Sequence, residues 1–505
     1  MPRRPVQRQS VLHLAMSTTA LAIMLASGSV ATADVGDLRH RVLPDPGYEA
    51  LQFGEDVDIK GDLAIVAGLG VFTIPVDGGA WILDVRTGEL LSSFPQPTDP
   101  DTGNPISSRF YGVAISDPIQ LPAGHAAPVA LVGTVESPSC ACYRPLLRAY
   151  DLTDPANPAL LWQATPTGVT IDDDFANAIA IDGALALVGA AGDRDNGPLA
   201  GAAYLFDLAT GAQLSKLLAS DGGDLDQFGY DVDLDLGPNG DLAIIGARWQ
   251  TDSVNRSGAA YIFDVSDPVN PVQLARLKHA DEDANDFFGF DVAIQTTPAG
   301  GVAAVGSIFD DDLGLDAGAT YLYDLTDPAN PTLAAKLLAD DGRNNDDFGW
   351  SVDLDLDDEG RVIALIGART DDDAGPGNGS AYFYDVTNPG APLLLTEVLP
   401  APVTSVDTFG WAVALDGGTA LVGAPGSDDL ASSSGSVAIL EASAGPSPCN
   451  EADLAESFGL LDLADISAFI SAFTTGNPAA DLNDDELIDL GDISLFVVSF
   501  TGGCP

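Results

Sequence analysis

The sequence predicts an all-β seven-bladed propeller closed by an N-terminal strand, followed by a small all-α module. Three observations predict it. A Phe-Gly anchor recurs seven times at a mean spacing of about 59 residues. Each anchor opens a similar series of short strand-like segments. The last stretch of the chain instead carries a duplicated helical pattern.

The anchors are Phe53-Gly54, Tyr111-Gly112, Phe175-Ala176, Phe228-Gly229, Phe288-Gly289, Phe348-Gly349 and Phe409-Gly410. After each comes an apolar run ending on Gly-small or a variant of it, as at Gly189-Ala190, Gly246-Ala247, Gly306-Ser307, Gly367-Ala368 and Gly423-Ala424. A third unit reads Gly-small-small-aromatic-x-aromatic-Asp, as in Gly258 to Asp264. In Val232-Asp233-Leu234-Asp235-Leu236 apolar and acidic residues alternate strictly, which predicts a strand with one packed face and one face in solvent. Leu242-Ala243-Ile244-Ile245 is apolar on both faces, as an interior strand should be. Asp-Pro…Asn-Pro turns, as at Asp267-Pro268 to Asn270-Pro271, lead to a fourth strand such as Leu274 to His279. Four strands repeated seven times read as a seven-bladed ring.

Closure is legible too. The seventh repeat ends near Glu441 without a fourth strand, whereas Leu38 to Asp45 resembles the fourth-strand segment Leu333 to Asp340. The N-terminal strand should therefore complete the last blade, removing an open edge.

Charge narrows the partners. Lys plus Arg number 20 and Asp plus Glu 75, a formal net charge of −55. Such a chain will not hold nucleic acid through its phosphates, which requires cationic side chains. With antiparallel strands, the second-to-third and fourth-to-first connections share one face of the ring, and much of the acid sits there. Asp193, Asp195, Asp310, Asp311, Asp312, Asp371, Asp372 and Asp373 mark a candidate cation or ligand site. Three readings stay open for it: a solvated acidic surface, bound calcium, or a direct ligand site.

Residues 1–33 read as an export signal. Arg3, Arg4 and Arg8 precede the mostly apolar Val11 to Val30, and Ala31-Thr32-Ala33 is an A-x-A cleavage site. The mature chain is expected to be secreted or surface-attached. No later stretch approaches the ~20 apolar residues of a membrane span. Export favours disulfides, and Cys449 and Cys504, which bracket the C-terminal module, are expected to pair. Cys140 and Cys142 read as two loop thiols or a local bridge.

The domains follow: signal 1–33, propeller 34–442, linker 443–448 and C-terminal module 449–505. In that module Ile466, Phe469, Ile470 and Phe473 share one helix face, and Ile493, Phe496, Val497 and Phe500 repeat the spacing. The loop Asp481 to Asp492 offers oxygens from Asp481, Asn483, Asp485, Asp489 and Asp492, with the Leu487 carbonyl at position seven. Glu486 stands where a turn glycine is expected. The earlier loop keeps Asp453, Asp462 and Asp465 as a weaker set, with Ala455 and Ser457 between.

These motifs carry two resemblances. The Phe-Gly anchors with Gly423-Ala424-Pro425 resemble FG-GAP repeat proteins, a group that includes the propeller heads of integrin α-chains. Short first-to-second loops such as Gly237-Pro238-Asn239-Gly240 lack the integrin-type calcium pattern. The duplicated loop-helix with Asp492 closing its loop resembles a dockerin, which implies Ca2+ and a cohesin-like docking partner. The function expected is an exported, anchored binding or adhesion protein whose propeller recognises an extracellular protein or glycan. The alternative is a polysaccharide hydrolase or lyase on a propeller scaffold. No G-x-S-x-G or H-E-x-x-H motif supports it.

Calcium added to a 446–505 fragment should raise its helix content by circular dichroism, and Asp489→Ala should remove most of that gain. An unresponsive fragment contradicts the metal reading.

Overall fold

The computed structural model describes residues 35–44, 52–68, 79–94, 107–137, 144–166, 168–251, 254–279, 284–339, 342–401 and 406–443. The signal segment, Cys140 and Cys142, and the 449–505 module with its calcium-loop residues and Cys449–Cys504 pairing lie outside the described residues.

The repeats fold as seven four-stranded antiparallel sheets, plus a two-stranded hairpin, Ile119–Gln120 with Ala126–Ala127, inside the second blade. Blade four is typical: Phe228–Gly237, Gly240–Ala247, Ala259–Asp264 and Val272–Leu277 pair in chain order. The first strands, such as Phe53–Lys60, Phe175–Asp182, Phe288–Thr297 and Phe348–Leu356, line the central channel. The fourth strands form the rim. The seventh blade holds Val413–Asp416, Thr419–Ala424 and Ser436–Glu441, and takes its outer strand from Leu38–Val42. Arg41 pairs opposite Ala438 and Val42 opposite Val437. Arg39 binds Glu441, and Arg41 reaches Asp429 at 2.6 Å, so the closing strand is held by charge as well as by its ladder.

The anchors have a physical meaning at the blade junctions. Phe53, Phe228, Phe288 and Phe348 are fully buried. Each meets the first aromatic of its own third strand edge-on, with centroids 5.2–5.4 Å apart for Phe53–Trp81, Phe228–Tyr261, Phe288–Tyr321 and Phe348–Tyr382. The anchor's backbone pairs with the preceding blade. The Phe288 N–H donates to the Ser257 carbonyl at 3.0 Å, and Phe348 does the same to Ala317 at 2.9 Å. The following glycine turns at positive φ and brings its carbonyl against the Gly-small glycine of the preceding blade. A Cβ on Gly246 would lie 2.3 Å from the Gly289 oxygen, and one on Gly367 would lie 2.0 Å from that of Gly410. The two sequence motifs are therefore the two sides of one contact.

One departure from the sequence reading and one irregularity already visible in it are local. In the second blade, backbone pairing sets Phe110, not Tyr111, opposite Thr134, because that strand is one residue shorter before its regular ladder begins at Val113. In the third blade Ala176 replaces the anchor glycine and carries a φ of +64°.

Gly258→Ala would set a Cβ 2.0 Å from the Phe288 carbonyl at a φ of +88°. It should lower stability by roughly 3 kcal/mol in chemical denaturation. Gly360→Ala, at a φ of +78° with no atom within 4 Å, should cost about 1 kcal/mol.

Candidate functional site

The acidic alternation of the inner strands was expected to face solvent. Instead it faces the central channel, and its carboxylates bind the next blade. Asp56 accepts the N–H of Val113 at 2.8 Å and Asp58 that of Ile115 at 2.7 Å. Asp231 accepts from Val292 at 2.8 Å, Asp233 from Ile294 at 2.7 Å, and Asp353 from Leu415 at 2.6 Å. Asp182 and Asp355 serve Leu236 and Gly417. Asp416 closes the circle, accepting from Gly61 at 2.6 Å and pairing with Lys60 at 2.8 Å. Each such bond is charge-assisted when the carboxylate is ionised. The acid of the inner strands is thus the mortar between blades.

Asp56, Asp58, Asp231, Asp233, Asp291 and Asp353 line a channel cavity of about 390 Å³. Burial pushes Asp56 up to about 8, and Asp58 and Asp233 up to about 7, although neighbouring N–H groups pull each of them back. Asp231 and Asp291 hydrogen-bond each other. Burial first, and then the Asp231 charge, raises Asp291 well above the usual carboxylate range.

The channel mouth on the Phe-Gly face is ringed by the residue that follows each anchor. Blades four to seven supply Tyr230, Phe290, Trp350 and Trp411, while Glu55 and Asn177 stand on the polar side. The aromatic rings form a chain with centroid separations of 5.2, 4.5 and 5.1 Å. Two arginines from the ends of second strands lie over it. Arg248 sits 3.6 Å above the Tyr230 ring centre and Arg369 3.2 Å above that of Trp350. Their Nε atoms are fixed by Gln227 and Asp347, both at 2.8 Å. The chain continues outward: Arg248 lies 5.0 Å from the Trp249 ring, and Trp249, Phe287 and Phe309 follow at 6.3 and 5.0 Å.

The loop aspartates chosen from sequence occupy this same face. Asp193, Asp310 and Asp371 are buried, and each accepts a hydrogen bond from the first aromatic of its blade's third strand: Tyr204 at 2.9 Å, Tyr321 at 2.8 Å and Tyr382 at 2.8 Å. Lys216 ties Asp193 to Asp195, and Lys336 ties Asp310 to Asp312. Burial raises Asp193, but Lys216, the Asp195 N–H and the Tyr204 hydroxyl outweigh it and hold the group below the ordinary range. Asp311 and Asp372 accept the N–H groups of Asp316 and Gly377 within their own loops, and Arg343 pairs with Asp373 at 2.9 Å. These residues organise their loops blade by blade. Among the described residues no group of three or more His, Cys, Asp or Glu side chains is arranged to hold a metal.

The aromatic collar was not foreseen from sequence, although its signal was present: four successive anchors are followed by Tyr, Phe, Trp and Trp.

A family model described as FG-GAP repeat matches residues 164–206, 212–263, 271–323, 331–384 and 398–439. The chain carries five FG-GAP repeats. The second, third and fourth matches start one residue before a fourth strand, the first and fifth start on the last residue of one, and all five end on the third strand of the next blade, so the sequence repeat is offset from the structural blade. The closing strand keeps that phase, since Leu38–Val42 supplies the fourth strand that precedes the first blade in the chain. No curated protein matches the chain. No helix among the described residues is long and apolar enough to cross a membrane.

Stability should depend on pH in a definite direction. Folded Asp56, Asp58 and Asp233 hold protons that an unfolded carboxyl near 3.8 releases. Their contribution is complete below about pH 4 and is lost as pH rises through the range 7 to 8. The melting temperature should fall between pH 5 and pH 8, and Asp233→Asn should flatten that slope. A melting temperature that climbs over this interval contradicts the assignment.

Proposed function

We infer that this is an exported binding or adhesion protein whose propeller recognises an extracellular protein or glycan on its Phe-Gly face. The FG-GAP propeller fold fits a binding role. The observation that carries the reading is the aromatic chain Tyr230–Phe290–Trp350–Trp411 at the channel mouth, overlaid by Arg248 and Arg369. Trp, Tyr and Arg are the residues that most often dominate binding energy, and here they sit near the centre of a face rimmed by acid.

The ends of the ring support the same reading. The Gly36 N–H donates to the Glu441 carbonyl at 2.8 Å, so the chain enters and leaves the ring side by side. The third strand of the seventh blade runs away from the Phe-Gly face, so this exit is on the opposite side. A dockerin-like tail following residue 443 would hold the protein through a cohesin-like partner, with calcium in its Asp481–Asp492 loop.

A hydrolase or lyase is the second reading. Glycosidase carboxylates stand about 5 Å or more apart, with the sugar or water between them. The Asp231–Asp291 pair is hydrogen-bonded directly and set inside the channel, which disfavours it as such a pair.

On an array of extracellular glycans and cell-wall material, the mature chain should bind at least one class. Trp350→Ala and Trp411→Ala should each weaken that binding by about tenfold or more. No soluble product should appear from the bound polymer. Sustained product release by the purified chain would replace the binding reading with the enzymatic one.

A further inference from the structure

Blade four departs from its neighbours in charge. In blades three, five and six the turn after the second strand starts with a buried aspartate, Asp193, Asp310 or Asp371, whose carbonyl accepts the N–H of the glycine opening the third strand. In blade four that position is Gln250, making the same bond to Gly258 at 3.1 Å. In blade six the residue before the anchor is Asp347, which neutralises Arg369 at 2.8 Å. In blade four it is Gln227, which holds Arg248 at the same distance but adds no charge. Two positions that carry acid elsewhere are thus neutral amides beside an arginine.

Among the described residues, half-buried Arg248 has no ion-pair partner, and neither has Arg256, whose guanidinium lies 4.5 Å from the centre of the same Trp249 ring. Asp174 acts on Arg248 only through space. Burial, opposed by Tyr230 and Asp174 and reinforced by the Arg256 charge, lowers the affinity of Arg248 for its proton. In a chain of net charge −55, two neighbouring guanidinium groups have no carboxylate bonded to them among the described residues. Both are pre-positioned: Arg248 by its Nε bond and Tyr230, and Arg256 by Trp249 and by its own N–H donating to Thr251 at 3.0 Å. Preorganised guanidinium forks match a carboxylate with little further entropy loss.

We propose that Arg248 and Arg256, with Trp249 between them, form a binding site for a single sugar carboxylate, a uronate residue within an otherwise neutral glycan. The carboxylate supplies the negative charge that Asp347 supplies in blade six and Gln227 does not, while Gln227 keeps its bond to the Arg248 Nε. The aromatic surface of Trp249, Phe287 and Phe309 meets the apolar face of the sugar ring. A densely charged polyanion is disfavoured because the surrounding loops are acidic and repel it. This proposal deepens the binding reading by naming its ligand and rests on that reading.

The test is calorimetric titration of the mature chain with D-glucuronate, D-glucose and N-acetylglutamate. Glucuronate should show one saturable site, and glucose should bind about tenfold more weakly or not at all. Arg248→Gln and Arg256→Gln should each weaken glucuronate by about tenfold. Gln227→Asp guards against misfolded arginine variants. It copies the blade-six pair at a position whose φ of +57° matches the +56° of Asp347, and it should fold and still lose glucuronate binding. Equal binding of glucose, tight binding of N-acetylglutamate alone, or glucuronate affinity unchanged in Gln227→Asp each overturns the proposal. Array binding retained by a Gln227→Asp chain would leave the broader binding reading standing while this site fails.

Discussion

The architecture depends on one close approach, repeated around the ring. A glycine carbonyl of one blade presses on a glycine of the blade before it, as Gly289 does on Gly246 and Gly410 on Gly367. No side chain fits there. The approach brings the anchor phenylalanine within backbone hydrogen-bonding distance of its neighbour and buries its ring in its own blade. A conspicuous two-residue motif is therefore a statement about the interface between blades. At the third blade Ala176 takes the anchor glycine's place at positive φ, and its carbonyl still presses on a glycine, Gly133.

Once blades are this close, the inner strands are forced together around a narrow channel, and their unpaired N–H groups need acceptors. Aspartate supplies them. Its side chain is short enough to reach from one strand to the next, as Asp58 reaches Ile115 and Asp353 reaches Leu415. Where a blade carries alanine instead, as at Ala114, Ala293 and Ala414, it sits beside an Asp-bearing neighbour and makes room for it. The channel is acidic because it is built that way, independently of any ligand.

Much of this was legible in the sequence. The Phe-Gly period, the strand alternation and the missing fourth strand of the last repeat led to the ring and its closure, because each depends on local pattern or simple counting. The role of the inner aspartates was not legible. Alternation shows only that Val232 and Asp233 point to opposite sides. It does not show that the acid side turns to a neighbouring blade about 60 residues away in the chain. The loop aspartates were visible as a cluster, but their partners Lys216, Lys336 and Tyr204 lie on other strands and become neighbours only in the fold. The aromatic collar was written one residue after each anchor, yet only the ring brings Tyr230, Phe290, Trp350 and Trp411 to a common rim.

The closing strand has a kinetic consequence. Arg39 and Glu441 are 402 residues apart in the chain, so the first strand of the propeller to be made is the last to find its place. Until then the seventh blade exposes a bare edge, and the emerging chain must hold six blades open without pairing them wrongly. Closing so long a loop adds little free-energy cost, because that cost grows only logarithmically with length. It does slow folding, since the contact is nearly as distant as the propeller allows. The ring can therefore be completed only after nearly the whole propeller has been delivered, and partial chains should be the species most prone to aggregation and proteolysis.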